Sequence, residues 1–217
     1  MEDVLSNFDL VLRAFWLTVQ LAALSGVVAL VLGTLLAAMR VGPVAILRGA
    51  ASTYVTLVRN TPLLIVCVFV FVAAPNLGLF IGTPFLIKGV VAVSLYTAPF
   101  VAESLRSGVN AVHLGQAEAA RAIGMTFGQN MRYVVLPQAF RASVPPLTST
   151  FIAMTKNTSV VAVFGLMEAT ARMRWFVNRN ADETMYMFLV FAFGYIVLVE
   201  LISLAGFGLE RRWRAAR

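Results

Sequence analysis

Long uncharged stretches alternate with short polar ones along this chain, and the alternation predicts membrane-spanning helices. Ala14 to Met39 carries no charge, with Gln20 and a few hydroxyls as its polar groups. It is long enough to cross a bilayer as one helix. Arg40 to Ser52 reads as a short connection, with Gly42-Pro43 as a breaker. Tyr54 to Ala74 reads as a second span, interrupted near its start by Arg59-Asn60-Thr61-Pro62. Pro75 to Pro84 is a turn-rich loop. Phe85 to Ser104 is a third span, with Lys88 placed to snorkel at one end and Pro99 inside. Ala142 to Met154 is apolar but short, holds Pro145-Pro146, and is followed by the polar Lys156-Asn157-Thr158-Ser159. Val160 to Met167 is another short apolar piece, and Arg172 to Glu183 is polar. Met185 to Phe207 is the last span, broken by Glu200, and the tail from Glu210 to Arg217 is basic. The pattern predicts an all-α, polytopic membrane protein, one domain over residues 1–217. It has about five spans if Ala142 to Met154 crosses with help from its flanks.

One long interval is mixed rather than apolar: Gly115 to Pro137. Its alanines, Ala117, Ala119, Ala120 and Ala122, favour a thin helix from Gln116 to Ile123. Gly124 then stands where a left-handed residue closes a helix. Thr126 and Gln129 have capping-box spacing, so a second short helix starts there. Leu136-Pro137 reads as its boundary, because the residue before proline avoids the helical region. A slim helix, a tight corner and a second helix suit insertion into a groove on another protein. The plainer alternative is an amphipathic helix lying on the membrane.

Composition narrows the class. The chain has 217 residues, 60% of them hydrophobic and 12% charged, too apolar for an ordinary soluble domain. Its net charge of +7 is better explained by arginines flanking spans than by nucleic acid. Arginines and lysines crowd the segments that lie inside if the N-terminus is outside: Arg40, Arg48, Arg59, Arg106, Arg121, Arg132, Arg141 and the tail. That places residues 115–137 in the cytoplasm. The acidic Met1 to Asp9 does not resemble a signal peptide. One cysteine, Cys67, and one histidine, His113, allow neither an intrachain disulfide nor a histidine metal site. No phosphate-binding loop is present, so ATP is not held here in that manner. No nucleophile has a nearby histidine base, which leaves an intramembrane enzyme without residues to run it.

Four motifs carry a resemblance. Glu118-Ala119-Ala120, then Gly124, then Leu136-Pro137 resemble the EAA loop of ABC-importer permease subunits, with Val134 where isoleucine is usual. Arg59-Asn60-Thr61-Pro62-Leu63 resembles the RxTPL signature of permeases for polar amino acids. The string FVAESLRSGV, holding Glu103 and Arg106 on one helix face, is similar to the segment preceding the EAA loop, with Phe100 replacing tyrosine. Lys156-Asn157-Thr158-Ser159 is similar to a K-[DN]-T-S segment of the same permeases. Within them the strings MRVGPVAILR, YTAPFVAESLRSGVN, GQAEAARAIG and TKNTSV look nearest to glutamate uptake.

What the resemblance implies is a permease subunit in a bacterial plasma membrane, N-terminus outside and C-terminus cytoplasmic. It implies an ATPase subunit dimer that carries ATP and magnesium, a second permease subunit and an extracytoplasmic substrate-binding protein. Glu118, Ala119, Ala120, Gly124 and Pro137 become the ATPase-coupling residues. Arg59, Asn60, Thr61, Lys156, Asn157, Thr158 and Ser159 become candidates for the substrate pathway, and Glu103 with Arg106 a gate ion pair. Glu168, Arg172 and Glu200 read as structural. The same machinery serving glutamine or a basic amino acid is the near alternative. An ion-coupled secondary transporter is the distant one, and it has no use for an exposed alanine-rich loop.

Overall fold

The structure is a computed structural model that describes residues 6–214. Met1 to Leu5, and Ala215 to Arg217 of the basic tail, lie outside the described residues. The described residues form helices and turns only. We label the helical runs α1 (Phe8–Val41), α2 (Ala45–Arg59), α3 (Leu63–Asn76), α4 (Phe85–Asn110), α5 (Leu114–Ala122), α6 (Phe127–Phe164), α7 (Ala169–Arg179) and α8 (Thr184–Arg214).

Three helices are individually long and apolar enough to cross a membrane: α1, α4 and the run of α8. Two bent pairs bring the number to five if each counts as one span. The expected second span is one of these pairs. Arg40 to Ser52 is not a plain connection, because α2 already begins at Ala45. The chain breaks after Arg59 and turns by 103° into α3. Pro62, extended at φ −61° and ψ 139°, cannot donate to the α2 ladder, so the apolar run is split in two. At 1.5 Å per residue α3 is about 21 Å long, short of a bilayer's apolar core.

The expected boundary at Leu136-Pro137 is overturned. Leu136 is helical (φ −60°, ψ −42°) and α6 runs through it. The reason is a π turn over Met131–Val135, in which the Leu136 N–H bonds the Met131 carbonyl. The wider turn shifts the Tyr133 carbonyl, which the Pro137 ring would otherwise strike. The same device recurs in α3, where a π turn over Phe69–Ala73 precedes Pro75. Pro145 and Pro146 are also absorbed, within the helix Leu136–Asn157. The segment judged too short to cross is therefore the middle of a long helix. It tightens to a 3-10 turn over Thr158–Phe164 and ends at Gly165.

The scaffold is α1 against α4, with α6 packed on α4 and touching α1 as well. The buried stripe of α1 is small: Ala22, Ser25, Gly26, Ala29, Gly33 and Ala37, at spacings of three and four that share one face. It lets α4 approach closely. Gly108 does the same between α4 and α6, because a Cβ there would sit 1.9 Å from Ser143 Oγ and 2.4 Å from the Ala139 carbonyl. Leu21, Cys67, Val93, Met154 and Val161 make the central core where α1, α3, α4 and α6 meet.

Candidate functional site

Four groups of residues stand out from this scaffold. The first is the corner between α5 and α6. The His113 ring accepts the Gly115 N–H at 3.2 Å and caps the start of α5. At its other end the Gly124 N–H bonds the Arg121 carbonyl (2.9 Å) and the Met125 N–H bonds the Ala120 carbonyl (3.1 Å). These two bonds form a Schellman closure, and Gly124 takes the positive φ it needs, 85°. Thr126 and Gln129 form the complete capping box that opens α6. Buried Asn130 then donates to the Ala117 carbonyl at 2.9 Å, and Gln138 bonds both Gln116 and the Val134 carbonyl. Every orphan backbone group at the corner that these residues reach is satisfied locally, so the angle is fixed. Of the expected coupling residues, Ala120 is buried against the corner. Glu118, Ala119 and Gly124 are exposed. Pro137, also exposed, lies farther along, in the root of α6. Leu114 and Ile123 are 77% and 79% exposed, large apolar side chains at the two ends of α5.

The second group surrounds Glu103 on α4. Its Oε2 accepts from Arg106 at 2.7 Å, and its Oε1 pairs with Arg59 at 3.4 Å. Arg40, at the end of α1, bonds the same Oε1. One carboxylate thus gathers three guanidiniums from three helices. Helix spacing in the sequence pairs Glu103 with Arg106, and that pair is present; Arg59 joins it from α2. Arg40 was missed, since no spacing along the chain relates it to position 103. Arg59 also lies 5.6 Å from the Phe100 ring centroid. Its neighbours Asn60 and Thr61 serve the end of α2: the Thr61 hydroxyl donates to the Leu57 carbonyl at 2.9 Å.

The third is a cleft of about 350 Å³ between α4 and α6, lined by Tyr96, Thr97, Phe100, Ser149, Thr150 and Asn157 among others. It has hydroxyls, an amide and two aromatic rings 5.3 Å apart, and no carboxylate in its wall. Four residues of the polar tetrad divide around α6. Asn157 faces this cleft. Lys156 and Ser159 line a separate one of about 290 Å³, with Thr170, Phe188 and Tyr195 of α7 and α8. Thr158 is fully buried and donates to the Thr155 carbonyl at 2.7 Å; Ser159 donates to the Lys156 carbonyl. Tyr96, Thr97, Ser149 and Thr150 went unnoticed in the sequence. The signal was there for α6: positions 149, 150, 153 and 157 share one helix face.

Glu168 occupies a fourth place, behind the Lys156 cleft. It is wholly buried, caps α7 by accepting the Ala171 N–H at 3.0 Å, and accepts from the Tyr195 hydroxyl at 2.7 Å and from Thr18 at 3.3 Å. Among the described residues no cation pairs with it.

The chain resembles proteins of known kind over nearly all its length. Residues 29–215 match the family described as binding-protein-dependent transport system inner membrane component. The glutamate transport system permease protein GluC of Corynebacterium glutamicum is 44% identical over 197 residues, 86% of each chain. The L-cystine transport system permease protein TcyB of Bacillus subtilis is 34% identical, covering 94% of this chain and 90% of that one. Among solved structures, an amino acid ABC transporter with histidines superposes with a TM-score of 0.89 at 28% identity, covering 97% of both chains. The MetNI methionine ABC transporter in an inward-facing conformation gives 0.77 at 25% identity, covering 95% of this chain and 97% of that one.

Proposed function

The chain belongs to the family of binding-protein-dependent transport system inner membrane components, and from that membership we propose that it is the permease subunit of an ATP-driven glutamate importer. Hydrolysis takes place on a separate pair of ATPase subunits, which bind ATP and magnesium. An extracytoplasmic binding protein delivers the cargo, and a second permease subunit completes the pathway. The N-terminus lies outside a bacterial plasma membrane, so α5 faces the cytoplasm, as the arginine distribution favours.

The rigid α5–α6 corner carries this reading. A slim helix with exposed Ala119, Ala122 and Ile123 sits on a fixed elbow, and the elbow continues as one helix into the spans. Movement of α5 by an ATPase groove is transmitted along α6 to the cleft where Asn157 lies. The cleft's hydroxyls and amide suit the zwitterionic end of an amino acid, and Arg59 beside Phe100 supplies positive charge near its mouth for a side-chain carboxylate. The substrate route runs through this cleft; Lys156 borders the other one.

Gly124→Val tests the elbow. No atom lies within 4 Å of a Cβ there, so the substitution acts through φ alone, at a cost of about 1 kcal/mol or more. Insertion stays normal, while ATPase association and glutamate uptake fall at least several-fold in a reconstituted four-component system. Wild-type uptake by Gly124→Val would remove the elbow from the mechanism.

The route is tested by a pair of variants with the binding protein saturated. Asn157→Leu lowers uptake by about tenfold, which corresponds to about 1.4 kcal/mol, and Lys156→Gln lowers it less. The reverse order would move the route to the Lys156 cleft.

A further inference from the structure

A recess of about 280 Å³ opens between the end of α1, the end of α4 and the root of α6. Its walls are apolar: Ala37, Val41, Val109, Phe127, Met131 and Phe140. Its charged group is Arg106, also in the wall. A second guanidinium stands at the edge. Arg48, projecting from α2, bonds the carbonyl of Gly42 at 3.3 Å, and Gly42 is itself part of the wall. Arg48 is exposed and has no carboxylate partner among the described residues. Arg106 itself shares the single carboxylate of Glu103 with Arg40 and Arg59. Positive charge at this edge therefore exceeds negative charge, beside an apolar slot.

An apolar slot with an uncompensated cationic rim fits a molecule with a hydrocarbon tail and an anionic head. A small soluble anion leaves the slot unfilled. A zwitterionic lipid brings a phosphate matched by its own ammonium, so it adds no net negative charge to offset the rim. We propose that this recess binds an anionic phospholipid from the bilayer leaflet on the α5 side, its acyl chain between Val41, Val109 and Phe140 and its phosphate between Arg48 and Arg106. Met131 and Phe127 belong to the first turns of α6, where the π turn lies. A seated acyl chain therefore packs against the piece of chain that joins α5 to the spans. Its effect on coupling rests on the permease reading; lipid capture itself does not.

The test uses the full-length chain in nanodiscs of phosphatidylcholine mixed with phosphatidylglycerol, with native mass spectrometry counting the lipids retained after mild delipidation. Wild-type chain retains phosphatidylglycerol in preference to phosphatidylcholine by about fivefold for each contributing arginine. Arg48→Gln, a substitution on an exposed side chain, lowers that preference by about fivefold, and Arg48→Lys keeps most of it. Ala38→Phe, which fills the recess and leaves the charges in place, removes the retained lipid of both kinds. Equal retention of the two lipids by wild type would overturn the proposal, as would an unchanged preference in Arg48→Gln. Loss of the lipid on adding the ATPase subunits would also overturn it, by giving the recess to a protein partner. None of these readouts needs transport, so a chain that fails to import glutamate yet keeps its lipid preference sinks the functional reading and leaves this site standing.

Discussion

Glu103 and Glu168 are two carboxylates held inside one helical bundle by opposite means. Glu103 is 20% exposed and is met by Arg40, Arg59 and Arg106. Glu168 is fully buried and is met by neutral donors: the Tyr195 and Thr18 hydroxyls and the Ala171 N–H. A charge in a membrane protein is costly unless it is paired or lines a watered cavity. The two sites answer that cost differently. Ion pairs with long side chains can be exchanged as helices shift, because each arginine reaches Glu103 from a separate element. Fixed dipoles at a helix cap tolerate no shift, because each must stay within hydrogen-bond reach. The comparison separates a part built for movement, where α1, α2 and α4 meet, from a part built as a rivet, where α1, α7 and α8 meet.

Removing the rivet should have the greatest effect. Glu168→Leu leaves the Ala171 N–H and the Tyr195 and Thr18 hydroxyls buried without an acceptor. It should destabilise the chain by about 3 kcal/mol, seen as a lower melting point in detergent. Glu168→Gln keeps an acceptor for the cap and loses less. A melt unchanged in Glu168→Leu would show that the cap is not structural.

Glu103→Gln should cost less stability, about 1 kcal/mol, and more function. It releases three guanidiniums into mutual repulsion, and glutamate uptake falls by at least tenfold while insertion persists. Salt distinguishes the sites as well. At about 1 M salt, where screening acts over about 3 Å, wild-type and Glu103→Gln melts converge. The Glu168→Leu difference stays as large as at low salt. Equal salt sensitivity of the two would erase the distinction.

The smallest effect belongs to Tyr195→Phe, which removes one of the donors to Glu168 and should cost about 1 kcal/mol. Combined with Thr18→Val its effect should be non-additive, because both hydroxyls serve the same Oε2. A purely additive pair would mean that the two hydroxyls act independently.

What could be read from the chain was what is local. The Schellman closure at Gly124 and the capping box at Thr126 and Gln129 lie within a few residues of each other, and both stand in the structure as expected. The long apolar runs marked α1, α4 and α8, since a long apolar helix needs little else to announce it. The interruption at Arg59-Asn60-Thr61-Pro62 was legible, but the 103° turn it makes was not, because a polar break in an apolar run does not say by how much the chain bends. The length of α6 was hidden by Pro137, Pro145 and Pro146, each a sensible place to stop a helix. A π turn answers the first of these, and its formation is not written in any short motif. At the sites, Arg40 and Thr18 were invisible for another reason. They reach Glu103 and Glu168 across 63 and 150 positions of chain, and only the packing of α1 brings them there.

The Glu168 cap has a consequence for how the chain is made. Thr18 leaves the ribosome early, Glu168 late, and Tyr195 last of all. Until α8 enters the bilayer, the carboxyl group has its α7 cap and Thr18, and lacks the short bond from the Tyr195 hydroxyl at 2.7 Å. A nascent or truncated chain ending before Tyr195 therefore holds an incompletely solvated acid in its interior, and α7 remains loosely attached. Completion of synthesis and locking of the last span become the same event.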